Sequence, residues 1–233
     1  MEKTLKVTRR ELKYFINEVS MNEISKIMSK VLIADEHNLD GGYHIRSLYF
    51  DSYENTDFYE KMIGIENRKK IRLRIYSSED TKAKLEIKRK YNNNQIKSSV
   101  IISREDAIEL IKQNYDVLNK YQSATAKTIM NIMKVNSLVP VVLIEYRRKA
   151  FIHPMNKTRI TLDSKIYSSE TFFDIFAKDP PLVPIDDNVC LLEVKYNGFL
   201  LGFINDIINS FDLSRTSFSK YTSSRNMFEN YLG

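Results

Sequence analysis

The chain has 233 residues, 42% hydrophobic and 28% charged, and its 36 Lys and Arg exceed its 30 Asp and Glu to give a formal net charge of +6. This composition excludes a disordered chain, and no stretch reaches the roughly 18 to 20 apolar residues that cross a bilayer. The single cysteine, Cys190, excludes an intramolecular disulfide. At this length we expect one domain over residues 1–233. Because the N-terminus carries no apolar signal segment, we expect the protein in the cytoplasm.

Eight segments show the alternation or β-branched content of strands, and the patterns between them predict helices. Ser20 and Glu23 form a capping box for a first helix, a second begins at Ser103, and a third covers residues 124–134. The proline-rich stretch 178–188 predicts a surface loop. With no regular strand–helix rhythm, we expect an α+β fold built on a mainly antiparallel barrel with helices outside. The predicted strands are residues 5–16, 43–50, 68–76, 83–90, 95–102, 140–152, 158–163 and 189–196.

Basic side chains share one face of the strand predicted over residues 68–76, and apolar side chains share the other face. The next strand repeats this arrangement, with one carboxylate, Glu86, among its lysines. These cations are Arg68, Lys70, Arg72 and Arg74 in the first strand, and Lys84, Lys88 and Lys90 in the second.

Three other strands place a carboxylate beside cations on one face. In the strand over residues 140–152, alternation leaves open whether Arg147 or Arg148 faces inward, since a bulge would reverse the answer. The groups in the other three strands are Arg9, Glu11 and Lys13; Arg159, Thr161 and Asp163; and Glu193 and Lys195.

The solvated side of an antiparallel sheet would explain any one of these strands, but the repeated cations favour a barrel in which they converge inside. Crowded like charges repel, so such an interior requires a polyanion. Phosphate fits, because Arg binds its oxygens in bidentate fashion and a few carboxylates can hold Mg²⁺ or Mn²⁺ beside it. The pattern therefore predicts a phosphoryl-transfer site.

At these residues the chain resembles the VTC-type polyphosphate polymerase domain of the triphosphate tunnel metalloenzyme (CYTH-like) superfamily, over nearly its whole length. Related hydrolases carry Glu-x-Glu-x-Lys on the first strand, whereas this chain has Arg9 at the first position, as in the polymerase branch. The matching elements are residues 10–14, 47–51, 72–74, 86–88, 146–151, 159–163, 192–195 and 219–221.

The resemblance implies an eight-stranded antiparallel β-barrel tunnel with flanking α-helices, in which cations hold a nucleoside triphosphate and growing polyphosphate. It implies that Glu193 binds the metal, Mn²⁺ or Mg²⁺, and we add Glu11 and Glu86 as further candidate ligands. It also favours Arg148 over Arg147. With Arg46 and Lys70 added from the predicted strands, the candidate phosphate-binding residues are Lys13, Arg46, Lys70, Arg72, Arg74, Lys88, Arg148, Arg159, Lys195 and Lys220.

The resulting prediction is a polyphosphate polymerase that transfers the γ-phosphate of ATP to inorganic polyphosphate without a protein nucleophile. Hydrolysis of tripolyphosphate or a nucleoside triphosphate is one alternative, and a noncatalytic polyphosphate-binding module is another. Nucleic acid is not expected, because the aromatic residues mostly alternate with the charges and no recognition helix is evident. The sequence is compatible with a membrane partner protein.

Overall fold

The computed structural model describes residues 9–38, 41–91, 94–186 and 189–229. The helices are α1 (Glu18–Val31), α2 (Thr56–Met62), α3 (Arg104–Ile111), α4 (Ala124–Val135), α5 (Gly202–Asn209) and α6 (Lys220–Glu229), with a 3-10 helix at Tyr115–Lys120. The strands are β1 (Arg9–Ile16), β2 (Ile33–Ala34), β3 (Tyr43–Asp51), β4 (Arg68–Ile75), β5 (Lys82–Tyr91), β6 (Asn94–Ser103), β7 (Val139–Ile152), β8 (Arg159–Ser169), β9 (Val183–Pro184), β10 (Cys190–Asn197) and β11 (Ser214–Arg215).

The strands form one large antiparallel sheet in the order β11-β1-β10-β8-β7-β3-β4-β5-β6, with β2 beside β7 and β9 beside β8. The α+β class and the eight long strands are confirmed. The predicted closed barrel of eight strands is corrected to an eleven-stranded sheet, because within the described ranges the pairing does not join β11 to β6. The three additional strands have two residues each, too few for alternation to reveal.

The chain divides into two compact units, each assembled from three chain segments. Unit 1 comprises the described residues of the ranges 1–44, 146–166 and 186–218, and unit 2 those of the ranges 45–145, 167–185 and 219–233. The single domain expected for residues 1–233 stays a prediction. No helix in the described part of the chain has both the length and the apolar character needed to cross a membrane.

In unit 1, α1 packs its apolar side against β10 and β8. Ile24 and Met28 are fully buried in a cluster that includes Leu192 of β10. The helix begins earlier than the predicted capping box at Ser20, because the side chain of Asn17 accepts a hydrogen bond from the backbone N–H of Ser20 at 2.8 Å. With one face of β10 covered by apolar contacts, the alternate residues of that strand point to the other face.

In unit 2, α3 and α4 cover the apolar face of β4 and β5. Ile71 and Leu73 are fully buried there, and burying each such side chain contributes about 1.5–3 kcal/mol. Slipping the register by one residue would turn these side chains to solvent, so burial fixes which face carries the charges. The predicted start of the second helix at Ser103 agrees with α3 to one residue, where Ser103 is the cap and accepts from the backbone N–H of Asp106 at 3.1 Å. Helix α4 matches its predicted range closely.

Three α-helices and the 3-10 helix were not predicted. Helix α2 has seven residues, α5 follows Leu201, and α6 begins at Lys220, which the sequence patterns had left outside any element. The stretch predicted as a loop contains the two-residue strand β9, paired with β8 through Pro184 and Val183. Its residues 187 and 188 lie outside the described residues, as do residues 5–8 of the first predicted strand.

Candidate functional site

Opposite charges face each other across β1 and β10 in unit 1, and β8 adds a further cation. Lys13 lies opposite Glu193 and Glu11 lies opposite Lys195 in the β1–β10 pairing. On the other side of β10, Lys195 lies opposite Arg159. Residues directly opposite in an antiparallel pair share one face of the sheet. The register therefore brings these five predicted site residues together, and we call them the charge cluster of unit 1.

Glu193 is the buried anion of this cluster, with 8% of its surface exposed. Its carboxylate lies 2.9 Å from Lys195 Nζ and 3.8 Å from Lys13 Nζ, and it accepts a hydrogen bond from Thr161 Oγ1 at 3.4 Å. Burial opposes ionisation, but the charges of Lys195, Lys13 and Arg148 together hold the pKa of Glu193 well below its ordinary value. The carboxylate is therefore ionised at neutral pH.

Lys13 connects the two carboxylates of the cluster. Its Nζ lies 3.1 Å from Glu11 Oε1 and also donates to the backbone carbonyl of Phe218 at 3.1 Å. Burial alone would lower the pKa of Lys13, but Glu193 and Glu11 raise it above its ordinary value. Lys195 approaches the same Glu11 at 3.9 Å. Each carboxylate is thus compensated by lysine, and Lys13 remains charged.

Arg148, and not Arg147, is the arginine of β7 that reaches Glu193. Its Nε and NH2 donate to the two carboxylate oxygens of Asp163 at 2.6 and 2.7 Å, and NH2 lies 4.0 Å from Glu193. Asp163 is fully buried, and its charge raises the pKa of Arg148 well above the ordinary value although burial acts in the opposite direction. At the edge of the cluster, Arg159 is held by Asp35 at 3.1 Å.

In unit 2, the register of β3 to β6 builds a second group, in which one carboxylate lies among cations. Arg72 lies opposite Glu86, and Arg74 lies opposite Lys84. Two residues after Glu86 on β5, Lys88 lies opposite Lys70 of β4 on one side and Lys97 of β6 on the other. We call the group formed by Arg72, Arg74, Lys84, Glu86 and Lys97 the arginine row of unit 2.

Glu86 is only 2% exposed and compensates four cations at once. It accepts from Arg72 Nε at 2.7 Å, forms an ion pair with Lys97, and lies 4.0 Å from both Arg74 and Lys84. Burial raises its pKa, but Arg72, Arg74 and Lys97 lower it to about 2. These four cations compensate Glu86 without a metal ion. Its role as a metal ligand stays a prediction.

Lys97 is a member of this row that sequence reasoning did not single out. It is the only cation in the predicted strand 95–102, so that strand shows no cationic face of its own. The pairing register of the β5–β6 hairpin would have revealed its position, because it sets Lys97 opposite Lys88 and therefore on the same face. Its pKa is lowered, first by burial, although Glu86 acts against this.

Lys70 and Lys220 lie near the start of α6. Lys70 Nζ donates to Ser219 Oγ at 3.2 Å and lies 4.5 Å from the centroid of the Tyr221 ring. Lys220 is the first residue of the helix, between these two contacts. The structure thus gives Lys220 a defined place beside Lys70, in the unit that contains the arginine row.

Arg46 is placed away from the predicted phosphate-binding residues. It lies opposite Ile75, so its side chain is on the apolar face of the sheet, which the helices cover. Its guanidinium donates to Glu145 at 2.6 Å and to the backbone carbonyls of Ile175 and Ala177. The prediction that Arg46 binds phosphate is therefore corrected. Its donors are occupied by these bonds on the face of the sheet opposite to the arginine row, where Arg46 anchors the segment after β8.

The predicted metal ligands divide between the units. Glu11 and Glu193 belong to unit 1 and Glu86 to unit 2. In the ranges that the structure describes, no three His, Cys, Asp or Glu side chains are grouped so that they could hold a metal ion by themselves. A divalent cation bound by Glu11 and Glu193 would need further oxygen ligands from the substrate, which is how Mg²⁺ is commonly held beside phosphates.

Comparison with known proteins gives one family match. The family model of the VTC domain matches residues 8–228, which is almost the whole chain. A search of curated proteins found no match.

Two solved structures similar to this chain are described as candidate adenylate cyclases. One, from Bacillus halodurans, has a TM-score of 0.53 at 11% identity, covering 91% of this chain and 93% of that one. The other, from Hippeastrum, has a TM-score of 0.55 at 12% identity, covering 93% and 94%, and its description names a dominant triphosphatase activity. At such low identity these likenesses show a shared fold.

Proposed function

Because the chain belongs to the VTC domain family, we propose that it is a polyphosphate polymerase, which transfers the γ-phosphate of ATP to a growing chain of inorganic polyphosphate. The observation that carries the proposal is the arginine row of unit 2, in which one buried carboxylate compensates four cations. Positive charge in this excess around one buried carboxylate is stabilised when a polyanion binds beside it.

Phosphoryl transfer requires mainly that the phosphates be positioned and their charge compensated, which suits a site built from cations. In the proposed site, Arg72 and Arg74 bind phosphate oxygens through their guanidinium groups, and Lys84, Lys88 and Lys97 add point charges. Lys13, Lys70, Arg148, Arg159, Lys195 and Lys220 are proposed as further phosphate-binding residues on the strength of the family pattern.

The residues of unit 1 fit a divalent cation, Mn²⁺ or Mg²⁺, whose remaining ligands would be phosphate oxygens of the substrate. Glu193 is ionised and Glu11 lies beside it, which is the one or two carboxylates that Mg²⁺ commonly takes when phosphates complete its coordination. When bound, such a cation neutralises charge on the transferring phosphate. In its absence Lys13 and Lys195 compensate these carboxylates.

The proposed reaction needs no covalent intermediate with the protein. An oxygen of the terminal phosphate of polyphosphate attacks the γ-phosphorus of ATP, and the bond from that phosphorus to the oxygen shared with the β-phosphate breaks. ADP leaves, and the polyphosphate is one phosphate longer. The protein's side chains bind and orient both reactants so that the polyphosphate oxygen attacks the γ-phosphorus in line with the breaking bond.

Hydrolysis is the second candidate, and it differs only in that water replaces the terminal phosphate as the attacking group. The observation in its favour is the shared fold with the Hippeastrum protein, whose description names a dominant triphosphatase activity. A noncatalytic polyphosphate-binding module would retain the arginine row, but it would not need Glu193.

The test is incubation of the purified protein with ATP and Mn²⁺ or Mg²⁺, following polyphosphate on a gel and free phosphate in solution. Wild type is expected to form polyphosphate ladders, and Glu193→Gln to lose at least about 100-fold in rate while still binding tripolyphosphate. Glu23→Gln is the matched control, because this exposed glutamate lies on α1.

Free phosphate without polyphosphate would replace the polymerase with the hydrolase. If neither product forms, yet tripolyphosphate raises the melting temperature, the binding module becomes the better account. Full turnover by Glu193→Gln would show that the assignment of Glu193 as metal ligand is wrong.

A further inference from the structure

Three buried polar residues on β3 have no role in the proposed reaction. Ser47, Tyr49 and Asp51 alternate along the strand and are 1%, 9% and 0% exposed. Ser47 lies opposite Arg74 and Tyr49 opposite Arg72, so the three residues share the face of the arginine row. A buried polar group costs free energy unless it is hydrogen-bonded, so each of these side chains requires a partner.

Tyr49 finds its partner in Arg72. Arg72 NH1 donates to the Tyr49 hydroxyl at 2.9 Å, and the guanidinium carbon lies 5.7 Å from the centroid of the Tyr49 ring. Glu86 accepts from Nε of the same guanidinium at 2.7 Å. Two hydrogen bonds at different nitrogens fix the plane of a guanidinium and restrict its rotamers, which an arginine side chain would otherwise sample freely.

Tyr49 also packs against the start of α6. Its ring centroid lies 5.1 Å from that of Tyr221, with 32° between the ring planes. The Tyr221 hydroxyl donates to Asp51, and Lys70 Nζ lies 4.5 Å from the centroid of the Tyr221 ring. Burial and the charge of Asp51 raise the pKa of Tyr221, so this hydroxyl stays protonated and donates throughout the physiological range. The Tyr49–Tyr221 contact therefore joins β3 to the helix that begins at Lys220.

We propose that Tyr49 is a positioning residue for phosphate binding: its hydroxyl holds Arg72 in the orientation that meets a phosphate, and its ring ties that orientation to α6 through Tyr221. The identity of the ligand rests on the proposed function, whereas the orientation of Arg72 does not. A side chain locked by its neighbours binds its ligand with less loss of conformational freedom, so removing the lock weakens binding without removing the charge.

The hydroxyl is the part of Tyr49 that separates positioning from packing. A phenylalanine would fill the same space, stack on Tyr221 and keep the ring beside Arg72, but it could not accept the hydrogen bond from NH1. We expect Tyr49→Phe to weaken tripolyphosphate binding about tenfold, measured by calorimetry. Its melting temperature is expected to fall no more than that of the control described next.

The matched control is Tyr121→Phe. Tyr121 has a hydroxyl that donates to Asp106 at 2.6 Å and accepts from the backbone N–H of Ser103 at 2.8 Å, so its removal breaks two hydrogen bonds in the same unit. Neither partner belongs to the arginine row. This variant is expected to lose stability while binding tripolyphosphate like wild type, which measures what the loss of a tyrosine hydroxyl does on its own.

A double-mutant cycle tests whether Tyr49 acts through Arg72. If it does, Tyr49→Phe should have no further effect on binding in an Arg72→Ala background, because the group that it positions is gone. Equal weakening by Tyr49→Phe in both backgrounds would overturn the proposal. A lower melting temperature with unchanged binding in the wild-type background would also overturn it, since Tyr49 would then be a structural residue.

A ligand-free measurement separates this proposal from the proposed function. The Nε–Hε signal of Arg72 in a ¹⁵N NMR spectrum, identified by its loss in Arg72→Lys, reports how firmly the guanidinium is held. We expect Tyr49→Phe to shift this signal and speed its exchange with water, and Tyr121→Phe to leave it unchanged. An unaltered signal in Tyr49→Phe would overturn the positioning role. If Tyr49→Phe alters the signal but wild type binds no tripolyphosphate, only the proposed function is overturned.

Discussion

The two units handle charge differently, although both build their charged groups on neighbouring antiparallel strands. In the charged group of unit 1 four carboxylates meet four cations, whereas in the arginine row of unit 2 one carboxylate, Glu86, meets four cations. The unit 1 groups are Glu11, Asp35, Asp163 and Glu193 with Lys13, Arg148, Arg159 and Lys195.

This difference separates stability from ligand binding. Charges that are compensated by one another contribute to the folded state before any ligand arrives, and removing one leaves a buried partner unpaired. Charges in excess contribute little until a polyanion supplies the missing sign. We therefore expect removal of a fully buried, paired group of unit 1 to act strongly on folding, whatever its part in turnover, and substitutions among the cations of unit 2 to act mainly on phosphate binding.

The largest effect is expected from Arg148→Ala in unit 1. Its partner Asp163 is fully buried and would be left with an uncompensated charge. Breaking a buried ion pair from one side costs about 3–5 kcal/mol. Urea unfolding without ligand should show the free energy of unfolding reduced by that amount.

Arg159→Ala is the control within the same unit. The Arg159 side chain is 38% exposed where it pairs with Asp35, so its loss should cost about 1 kcal/mol or less. If the two variants lose equal stability, the balance of charge in unit 1 is not what stabilises it.

A smaller effect is expected from Glu86→Gln in unit 2. The folded protein holds the pKa of Glu86 at about 2, below the ordinary value of 4.5. A carboxyl group with a lowered pKa stabilises the fold above its ordinary pKa, and this contribution is lost as the pH falls toward the folded value. The shift corresponds to about 3 kcal/mol at pH 7.

The measurement is the free energy of unfolding of wild type and Glu86→Gln at several pH values. The gap between them should be widest above about pH 5 and should narrow steadily as the pH falls toward 3. Glu79→Gln, an exposed position in the same unit, should show no such gap. A gap that stays constant with pH would mean that the charge of Glu86 is not what the four cations require.

The sequence predicted the charged faces well because side-chain alternation in a strand is local and is fixed by burial of the opposite face. The apolar face of β4 defines the face of Arg72 and Arg74 without knowledge of any other strand. The start of the second helix at Ser103 was predicted for the same reason, since helix start signals are local in the sequence.

What the sequence could not reveal depends on pairing between distant segments. Lys97 joins the arginine row only through the β5–β6 register, and Arg46 leaves the site because β3 sets it opposite Ile75. The choice of Arg148 over Arg147 came from the family pattern, since alternation permits either. The structure pairs Arg148 with Asp163 on β8, and its role in phosphate binding stays a prediction.

The smallest of the three effects on free energy is expected from Arg74→Ala, and it concerns the ligand. Arg74 is 8% exposed and lies 4.0 Å from Glu86, a distance at which the ion pair is weak, so its loss should affect folding less than that of Arg148. A charge-assisted hydrogen bond to a phosphate is worth about 1.5–3 kcal/mol. Tripolyphosphate should therefore bind about 10- to 150-fold more weakly to Arg74→Ala.

Binding should be measured by calorimetry with and without EDTA, with Lys120→Ala as the control, since Lys120 is an exposed cation paired with Asp106. If the excess charge of unit 2 is what attracts phosphate, wild type should still bind tripolyphosphate after the metal is removed, and Arg74→Ala should weaken binding by the same factor in both conditions. Loss of all binding in EDTA would place the decisive interaction with the carboxylates of unit 1 instead, and the contrast between the two units would then describe stability alone.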